Sequence, residues 1–272
     1  MRSVFLTRSF LTFAPWFLYR HPTKLGQLLE HWRAYRARFI ELSRLSGQPV
    51  DRIETFLNEV EAEEPLFREL GGFWNLFPVY RDRLSTPHAI VSYILVRLMQ
   101  PDVVVETGVE HGLSSRIILL AMERNRRGTL HSIDLPNAVV EDEASGFVQR
   151  NIMPPGKETG WMVPPDLRSR WHLLLGDAQE LLPRLLQTLG TIDIFLHDSL
   201  HSYEHMLFEF RTAWPHLRDG GVLCSDDTDS GILFLDGKPG PSAFTDFVAE
   251  VNCPGVIFNN RRVGAIRKPD RQ

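Results

Sequence analysis

Three carboxylates with the spacing of a metal site follow two apolar runs in the second half of the chain. Asp198 comes two residues after one candidate strand, and the pair Asp226–Asp227 comes directly after the next. Carboxylates that converge repel one another unless a cation lies between them. Oxygen ligands with room for water and substrate suit Mg²⁺ or a similar ion. The residues therefore predict a divalent-metal site, although helix capping by Asp198 and a solvated turn at 226–229 would also explain them.

Acidic residues and glycines also follow three earlier candidate strands. Glu106 and the Gly108–Gly112 loop end the first, Asp134 ends the second, and Asp177 follows the third. Ligands of an open parallel sheet bind beyond the carboxyl ends of its strands. Asp134 could accept hydrogen bonds from ribose hydroxyls there, and Asp177 could reach an adenine amino group, although each alone also suits a helix cap or a turn. The Gly-x-x-x-Gly spacing lacks the middle glycine of a dinucleotide fingerprint, which excludes an NAD-dependent oxidoreductase.

Short apolar runs that alternate with amphipathic stretches position these residues. Strands are predicted at 103–106, 130–133, 173–175, 192–196 and 221–225, and helices at 114–124, 178–189, 202–217 and 242–251. Strands that are apolar on both faces and separated by helices indicate a parallel sheet covered on both sides. The last two strands, 256–258 and 263–266, lie too close in sequence for a parallel crossover and must pair antiparallel. The predicted fold class is α/β, a Rossmann-like doubly wound, mostly parallel sheet with a C-terminal antiparallel hairpin.

The acidic strand ends and the final hairpin together resemble the class I S-adenosylmethionine-dependent methyltransferases, over residues 85–267. The resemblance implies S-adenosylmethionine as the cofactor, with Glu106 and the Gly108–Gly112 loop beside its methionine part. Asp134 would hold the ribose, and Asp177 with Ala178 would border the adenine. The cofactor-binding residues implied in this way are Glu106, Gly108, Gly112, Ser114, Asp134, Asp177 and Ala178.

The carboxylates after the fourth and fifth strands are similar to the metal site of small-molecule O-methyltransferases of the catechol and macrolide-sugar types. The resemblance implies metal ligation by Asp198, Asp226 and Asp227 and methyl transfer to a hydroxyl of a sugar, a natural product or a phenol. These families have a basic residue three positions after the first ligand, so His201 is implied as the catalytic base beside Asp198. Residues 195–203 also resemble an Asp-Gly-Asp-His-Ser-Tyr signature of a broader methyltransferase family. Leu200 replaces the second aspartate of that signature, so only Asp198 is carried over from this loop.

The chain divides into a predicted helical N-terminal extension, residues 1–84, and the cofactor-binding domain, residues 85–272. Apolar residues at three- and four-residue steps predict helices at Thr23–Arg44 and Asp51–Ala62 in the extension. The segment 137–170 of the domain is long, polar and rich in proline. Loops of this length in a compact domain are often functional, so it is a candidate lid.

Composition and charge restrict the partners and the location of the protein. The 272 residues carry a net charge of −4, which argues against nucleic acid as a partner. The two cysteines, Cys224 and Cys253, are too few for a disulfide framework and fit the cytoplasm. The apolar segment Val4–Tyr19 falls short of a membrane span. It is expected to dock on the protein's own core, with a peripheral membrane contact or a homodimer contact as alternatives.

Two other functions fit parts of the sequence. The run His201-Ser-Tyr-Glu204-His205 matches the His-x-x-Glu-His motif of a class of zinc peptidases, which would make the chain a hydrolase. That motif leaves the acidic strand ends unexplained. A cofactor-binding scaffold without turnover is the second alternative, and the presence of candidates at every catalytic position argues against it.

Overall fold

The computed structural model describes residues 39–63, 87–137, 139–142, 147–150, 153–228, 242–258 and 263–270. The strands are β1 (Val103–Thr107), β2 (Thr129–Asp134), β3 (Val139–Asp142), β4 (Phe147–Arg150), β5 (Trp171–Leu175), β6 (Ile192–His197), β7 (Leu217–Asp226), β8 (Gly255–Phe258) and β9 (Val263–Arg267). The helices are α1 (Val50–Glu61), α2 (Pro87–Met99), α3 (Leu113–Asn125), α4 (Ala178–Leu189), α5 (Tyr203–Ala213) and α6 (Ala243–Glu250). Residues 39–46 are also helical.

Seven of the strands form one mixed sheet in the order β5-β2-β1-β6-β7-β9-β8. The strands from β5 to β7 pair in parallel, whereas β9 is antiparallel to both β7 and β8. This arrangement confirms the predicted doubly wound sheet with a C-terminal antiparallel hairpin. Because β1, β2, β6 and β7 run in the same direction, the residues that follow their last positions meet at one edge of the sheet.

Two hydrophobic cores cover the two faces of this sheet. One contains α2, α3 and the residues of the N-terminal extension between 39 and 60, and the other contains α4, α5 and α6. In the first core, the Glu59 carboxylate of α1 accepts hydrogen bonds from Tyr93 and from Nε of Arg97 at 2.8 Å. The described part of the N-terminal extension is therefore packed on the domain and shares its core.

The predicted helix 202–217 is shorter in the structure. The α-helix α5 ends at Ala213, a 3₁₀ turn covers Trp214–His216, and β7 begins at Leu217. Pro215 explains the difference, because proline has no N–H to donate to the carbonyl of Arg211 and so cannot continue the α-helix.

The candidate lid holds more regular structure than its composition suggests. β3 and β4 pair antiparallel, and Pro165–Arg170 forms a 3₁₀ helix that leads into β5. Whether the segment moves as a lid stays a prediction. The predictions for Val4–Tyr19 and for most of Thr23–Arg44 lie outside the described residues.

Both cysteines are free and buried, Cys224 inside β7 and Cys253 between α6 and β8. Among the helices that the structure describes, none is long and apolar enough to cross a membrane.

Candidate active site

The loop after β1 and the loop after β6 are in direct contact. The backbone N–H of Asp198 donates to the carbonyl of Thr107 at 2.8 Å. Gly108 has a φ of +86°, and a Cβ on it would lie 1.9 Å from the carbonyl oxygen of Asp198. Glycine is therefore required at this position by the neighbouring loop, independently of any ligand.

Glu106, at the end of β1, is a buried carboxylate held by three serine hydroxyls. Ser114 and Ser115 donate to its two oxygens at 2.6 Å each, and Ser132 of β2 donates at 2.9 Å. The predicted residues Glu106 and Ser114 are thus brought together. Ser115 and Ser132 were missed, although Ser115 follows Ser114 directly at the start of α3.

Asp134, the candidate ribose-binding residue, is buried beneath the loop after β1. Its Oδ1 atom accepts from the backbone N–H of Val109 at 2.8 Å and of Glu110 at 3.1 Å. Its Oδ2 atom accepts from the Thr159 hydroxyl at 3.1 Å. The carboxylate therefore fixes the shape of the glycine loop, and no sequence pattern links it to Thr159, which lies 25 residues away.

The segment that carries Thr159 lies directly on the glycine loop. The N–H of Gly160 donates to the carbonyl of Glu110 at 2.8 Å, and that of Met162 donates to the carbonyl of His111 at 3.0 Å. A Cβ on Gly112 would lie 2.7 Å from the Cα of Gly160. Part of the candidate lid thus packs against the predicted cofactor loop.

Asp177 follows β5 as predicted, but its side chain caps a helix. It is the exposed N-cap residue of α4, and its Oδ1 accepts from the N–H of Gln179 at 2.8 Å. Ala178 is buried at the first position of that helix. The cap accounts for the Asp177 carboxylate without a ligand, so its contact with adenine stays a prediction.

Two substitutions of Asp177 separate these roles. We expect Asp177→Ala to lower the free energy of unfolding by about 1 kcal/mol, because the cap is lost, and Asp177→Ser to leave it nearly unchanged, because serine caps equally well. If the carboxylate contacts adenine, both variants lose affinity for S-adenosylmethionine. Urea denaturation and calorimetric titration measure the two effects. An unchanged affinity in both variants would limit Asp177 to the cap.

The carboxylates after β6 and β7 converge with the predicted base. Asp198, His201 and Asp226 each offer one ligand atom, and these atoms lie within 4.8 Å of one another. Nε2 of His201 is 3.7 Å from Oδ1 of Asp198. Two carboxylate oxygens and an imidazole nitrogen at this spacing fit a divalent cation. Asp227 is not part of this group and has a φ of +44°.

The environment of His201 keeps its imidazole neutral at neutral pH. Burial is the largest cause that lowers the pKa of His201, and the nearby His197 lowers it further. Asp227 and Asp226 act in the opposite direction but do not outweigh these causes. A neutral imidazole has a free ring nitrogen, which is the form that can accept a proton.

One cleft brings the two groups of candidate residues together. Its lining includes Glu106 and Ser114 from the predicted cofactor site and Asp198 and Asp226 from the predicted metal site. A molecule bound next to Glu106 would therefore lie close to the carboxylates after β6 and β7.

A buried carboxylate that the sequence analysis missed lies behind this cleft. Glu209 of α5 is fully buried, and it accepts hydrogen bonds from His197 at 2.6 Å and from His205 at 2.9 Å. Burial alone would raise the pKa of Glu209, but the charge and hydrogen bonds of His197 and His205 outweigh burial and lower it. A signal was present in the sequence, because Glu209 is spaced three residues from Met206 and four from Ala213 on the buried face of α5.

The same contacts disfavour the zinc-peptidase motif. Both ring nitrogens of His205 have other partners, Glu209 and Ser199 at Nε2 and Gln179 at Nδ1. Glu204 is exposed. Among the described residues, neither His205 nor Glu204 joins His201 in a group that could hold a metal ion.

Comparison with known sequences gives two matches in the region of this site. Residues 105–228 match a family described as a methyltransferase domain. A relative named L-olivosyl-oleandolide 3-O-methyltransferase, from Streptomyces antibioticus, is 33% identical over 66 residues, which are 24% of this chain and 17% of that protein. The chain thus matches about one sixth of the length of this curated relative.

Comparison with solved structures supports the same fold. A cofactor-bound protein, Rv0187 from MTB, aligns with a TM-score of 0.53 at 14% identity, over 77% of this chain and 92% of that one. A protein from Staphylococcus aureus assigned as a caffeoyl-CoA O-methyltransferase aligns with a TM-score of 0.51 at 13% identity, over 78% of this chain and 94% of that one. At these identities the likeness shows the shared fold alone.

Proposed function

We propose that this chain, which carries a class I S-adenosylmethionine-dependent methyltransferase domain, transfers a methyl group to a hydroxyl of a small molecule with the help of a divalent cation. The observation that carries the proposal is the single cleft lined by Glu106, Ser114, Asp198 and Asp226. A methyl donor in this cleft would lie next to the carboxylates that bind the cation. The proposed base would lie beside them, because Nε2 of His201 is 3.7 Å from Oδ1 of Asp198. The name of the Streptomyces antibioticus relative, a 3-O-methyltransferase, supports a hydroxyl acceptor.

We assign the cofactor to the carboxyl ends of β1, β2 and β5. Glu106 and Ser114 would face its methionine part across the Gly108–Gly112 loop. The Oδ2 atom of Asp134 would accept a hydrogen bond from a ribose hydroxyl. Each carboxylate oxygen can accept two hydrogen bonds, and this atom accepts one from the Thr159 hydroxyl. Ala178 and Asp177 would border the adenine.

We assign cation binding to Asp198 and Asp226, with Asp227 beside them, and proton transfer to His201. Asp198 and Asp226 supply hard oxygen ligands, which suit Mg²⁺. When bound, a divalent cation lowers the pKa of a hydroxyl beside it. His201 would take the hydroxyl proton at Nε2, because its imidazole is neutral at neutral pH. The cleft would then hold acceptor and methyl donor in attack geometry.

Calorimetric titration of the full chain tests this proposal. We expect saturable binding of S-adenosylmethionine near a micromolar dissociation constant, and binding of Mg²⁺ or Mn²⁺ that EDTA abolishes. Hydroxylated sugars, natural products and phenols would then be screened for the mass gain of one methyl group. No binding of S-adenosylmethionine with or without the cation would overturn the proposal, whereas cofactor binding without cation binding would remove only the metal.

A further inference from the structure

One buried carboxylate ties together the loop that carries Asp198. Oε2 of Glu209 accepts from the Thr107 hydroxyl at 2.5 Å and from Nδ1 of His197 at 2.6 Å. Oε1 accepts from the Ser199 hydroxyl at 2.8 Å and from Nε2 of His205 at 2.9 Å. Four donors from β1, β6, the loop after β6 and α5 thus converge on a side chain with no exposed surface.

Stability alone does not explain this network. A buried charged group costs several kcal/mol to desolvate, and a buried ion pair that is replaced as a whole by apolar residues of similar volume is often as stable. Glu209 lies on the apolar face of α5, next to Phe210 and one turn from Met206, where such a residue would pack. The four hydrogen bonds fix the positions of the groups that donate them.

Those groups flank the proposed metal ligand on both sides. His197 precedes Asp198 and Ser199 follows it, so Glu209 holds both neighbours of this residue. The backbone N–H of Asp198 is bonded to Thr107, whose hydroxyl also reaches Glu209. The peptide units around Asp198 are thus restrained from three directions by one carboxylate.

Glu209 also contacts the proposed base, His201, indirectly through the imidazole of His197. The imidazole of His197 packs edge-on against that of His201, with ring centroids 5.3 Å apart and an angle of 74° between the planes. The bond from His197 to Glu209 fixes the orientation of the first ring. It therefore also fixes the surface against which His201 lies.

We propose that Glu209 is a positioning residue that holds Asp198 in the geometry for binding a divalent cation and holds His201 beside it as the base. This inference rests on the proposed function, since it requires that Asp198 binds a metal. Glu209 itself touches neither the cation nor the substrate.

Glu209→Gln tests the proposal at nearly constant side-chain volume. One carboxylate oxygen becomes an NH₂ donor, which cannot accept from the pair of donors on that side. We expect the affinity for Mn²⁺, measured by calorimetry and by the Mn²⁺ electron paramagnetic resonance signal, to fall about 10- to 100-fold, as for other groups that support a metal ligand. The affinity for S-adenosylmethionine, measured without metal, should stay within about twofold.

Glu59→Gln is the matched control. Glu59 also accepts hydrogen bonds from two residues, Tyr93 and Arg97, but it lies in helix α1 of the N-terminal extension and does not line the cleft. We expect it to lower the melting temperature without changing the affinity for Mn²⁺. If Glu209→Gln does not fold, Ser199→Ala tests the proposal instead. This substitution removes the hydrogen bond that Ser199, next to Asp198, donates to Glu209, so we expect it to weaken Mn²⁺ binding.

The outcomes separate this inference from the proposed function. Weaker Mn²⁺ binding in Glu209→Gln, with the Glu59→Gln control unchanged, supports the positioning role. Equal Mn²⁺ affinity in the wild type and in a folded Glu209→Gln or Ser199→Ala variant overturns it and leaves the proposed function intact. A wild-type protein that binds S-adenosylmethionine but no Mn²⁺ overturns both the metal assignment and the role of Glu209.

Discussion

We expect the replacement of Asp198 by alanine to lower the affinity for a divalent cation and the methyl-transfer rate by at least about 100-fold, which is the upper range for residues that only support a ligand. The reason is that Asp198 supplies one of the two carboxylates in the group of three ligand atoms after β6 and β7. Cation titration and initial rates with a methyl acceptor at saturating S-adenosylmethionine measure the two losses.

Asp227→Ala is the control for this prediction. Asp227 adjoins Asp226 but does not belong to the group of converging ligand atoms. We therefore expect Asp227→Ala to lose less cation affinity than Asp198→Ala, although the sequence pattern predicts both Asp226 and Asp227 as metal ligands. An Asp198→Ala enzyme with full activity in the presence of EDTA would contradict the role of a metal.

Replacing Gly108 by alanine destabilises the fold by about 2–5 kcal/mol, the sum of a left-handed backbone penalty and overpacking. The added methyl would lie 1.9 Å from the backbone carbonyl of Asp198, where no side chain can turn away. Chemical denaturation measures the loss, and metal binding should weaken as well, because the loop after β6 must shift.

Gly156→Ala separates the two causes. Gly156 also has a positive φ, +75°, but a Cβ there would meet nothing within 4 Å. We expect a loss of about 1 kcal/mol, from the backbone penalty alone. Equal losses in both variants would show that the loop after β6 yields to the added methyl at little cost.

The sheet was predictable because its strands are short apolar runs ending in polar residues. The centres of β1, β2, β6 and β7 followed from this pattern, as did the antiparallel end, where β8 and β9 are separated by four residues. The start of β7 was not predictable. Gly220-Gly221 is typical of a turn, yet the strand begins at Leu217 and passes through an irregularity in register opposite Ile192–Ile194.

The candidate site was predictable at its strand ends and not beyond them. Asp198 and Asp226 were found because parallel strands bring their carboxyl ends to one edge. The contact of Thr159 with Asp134 depends on how a long connection folds back, which no local pattern encodes. Glu209 is a different case, since a carboxylate on an apolar helix face is visible in the sequence but its four partners are not.

Alkylation of the two buried thiols can report the unfolding of this protein. Alkylating reagents react with thiolates, and burial raises the pKa of Cys253 and raises that of Cys224 to about 12. Labelling at neutral pH therefore follows the fraction of molecules that open. Cys224 lies in a central strand and Cys253 just before the outermost strand of the hairpin. Pulsed alkylation followed by mass spectrometry can thus time the opening of the sheet centre and of its edge separately, without an introduced label.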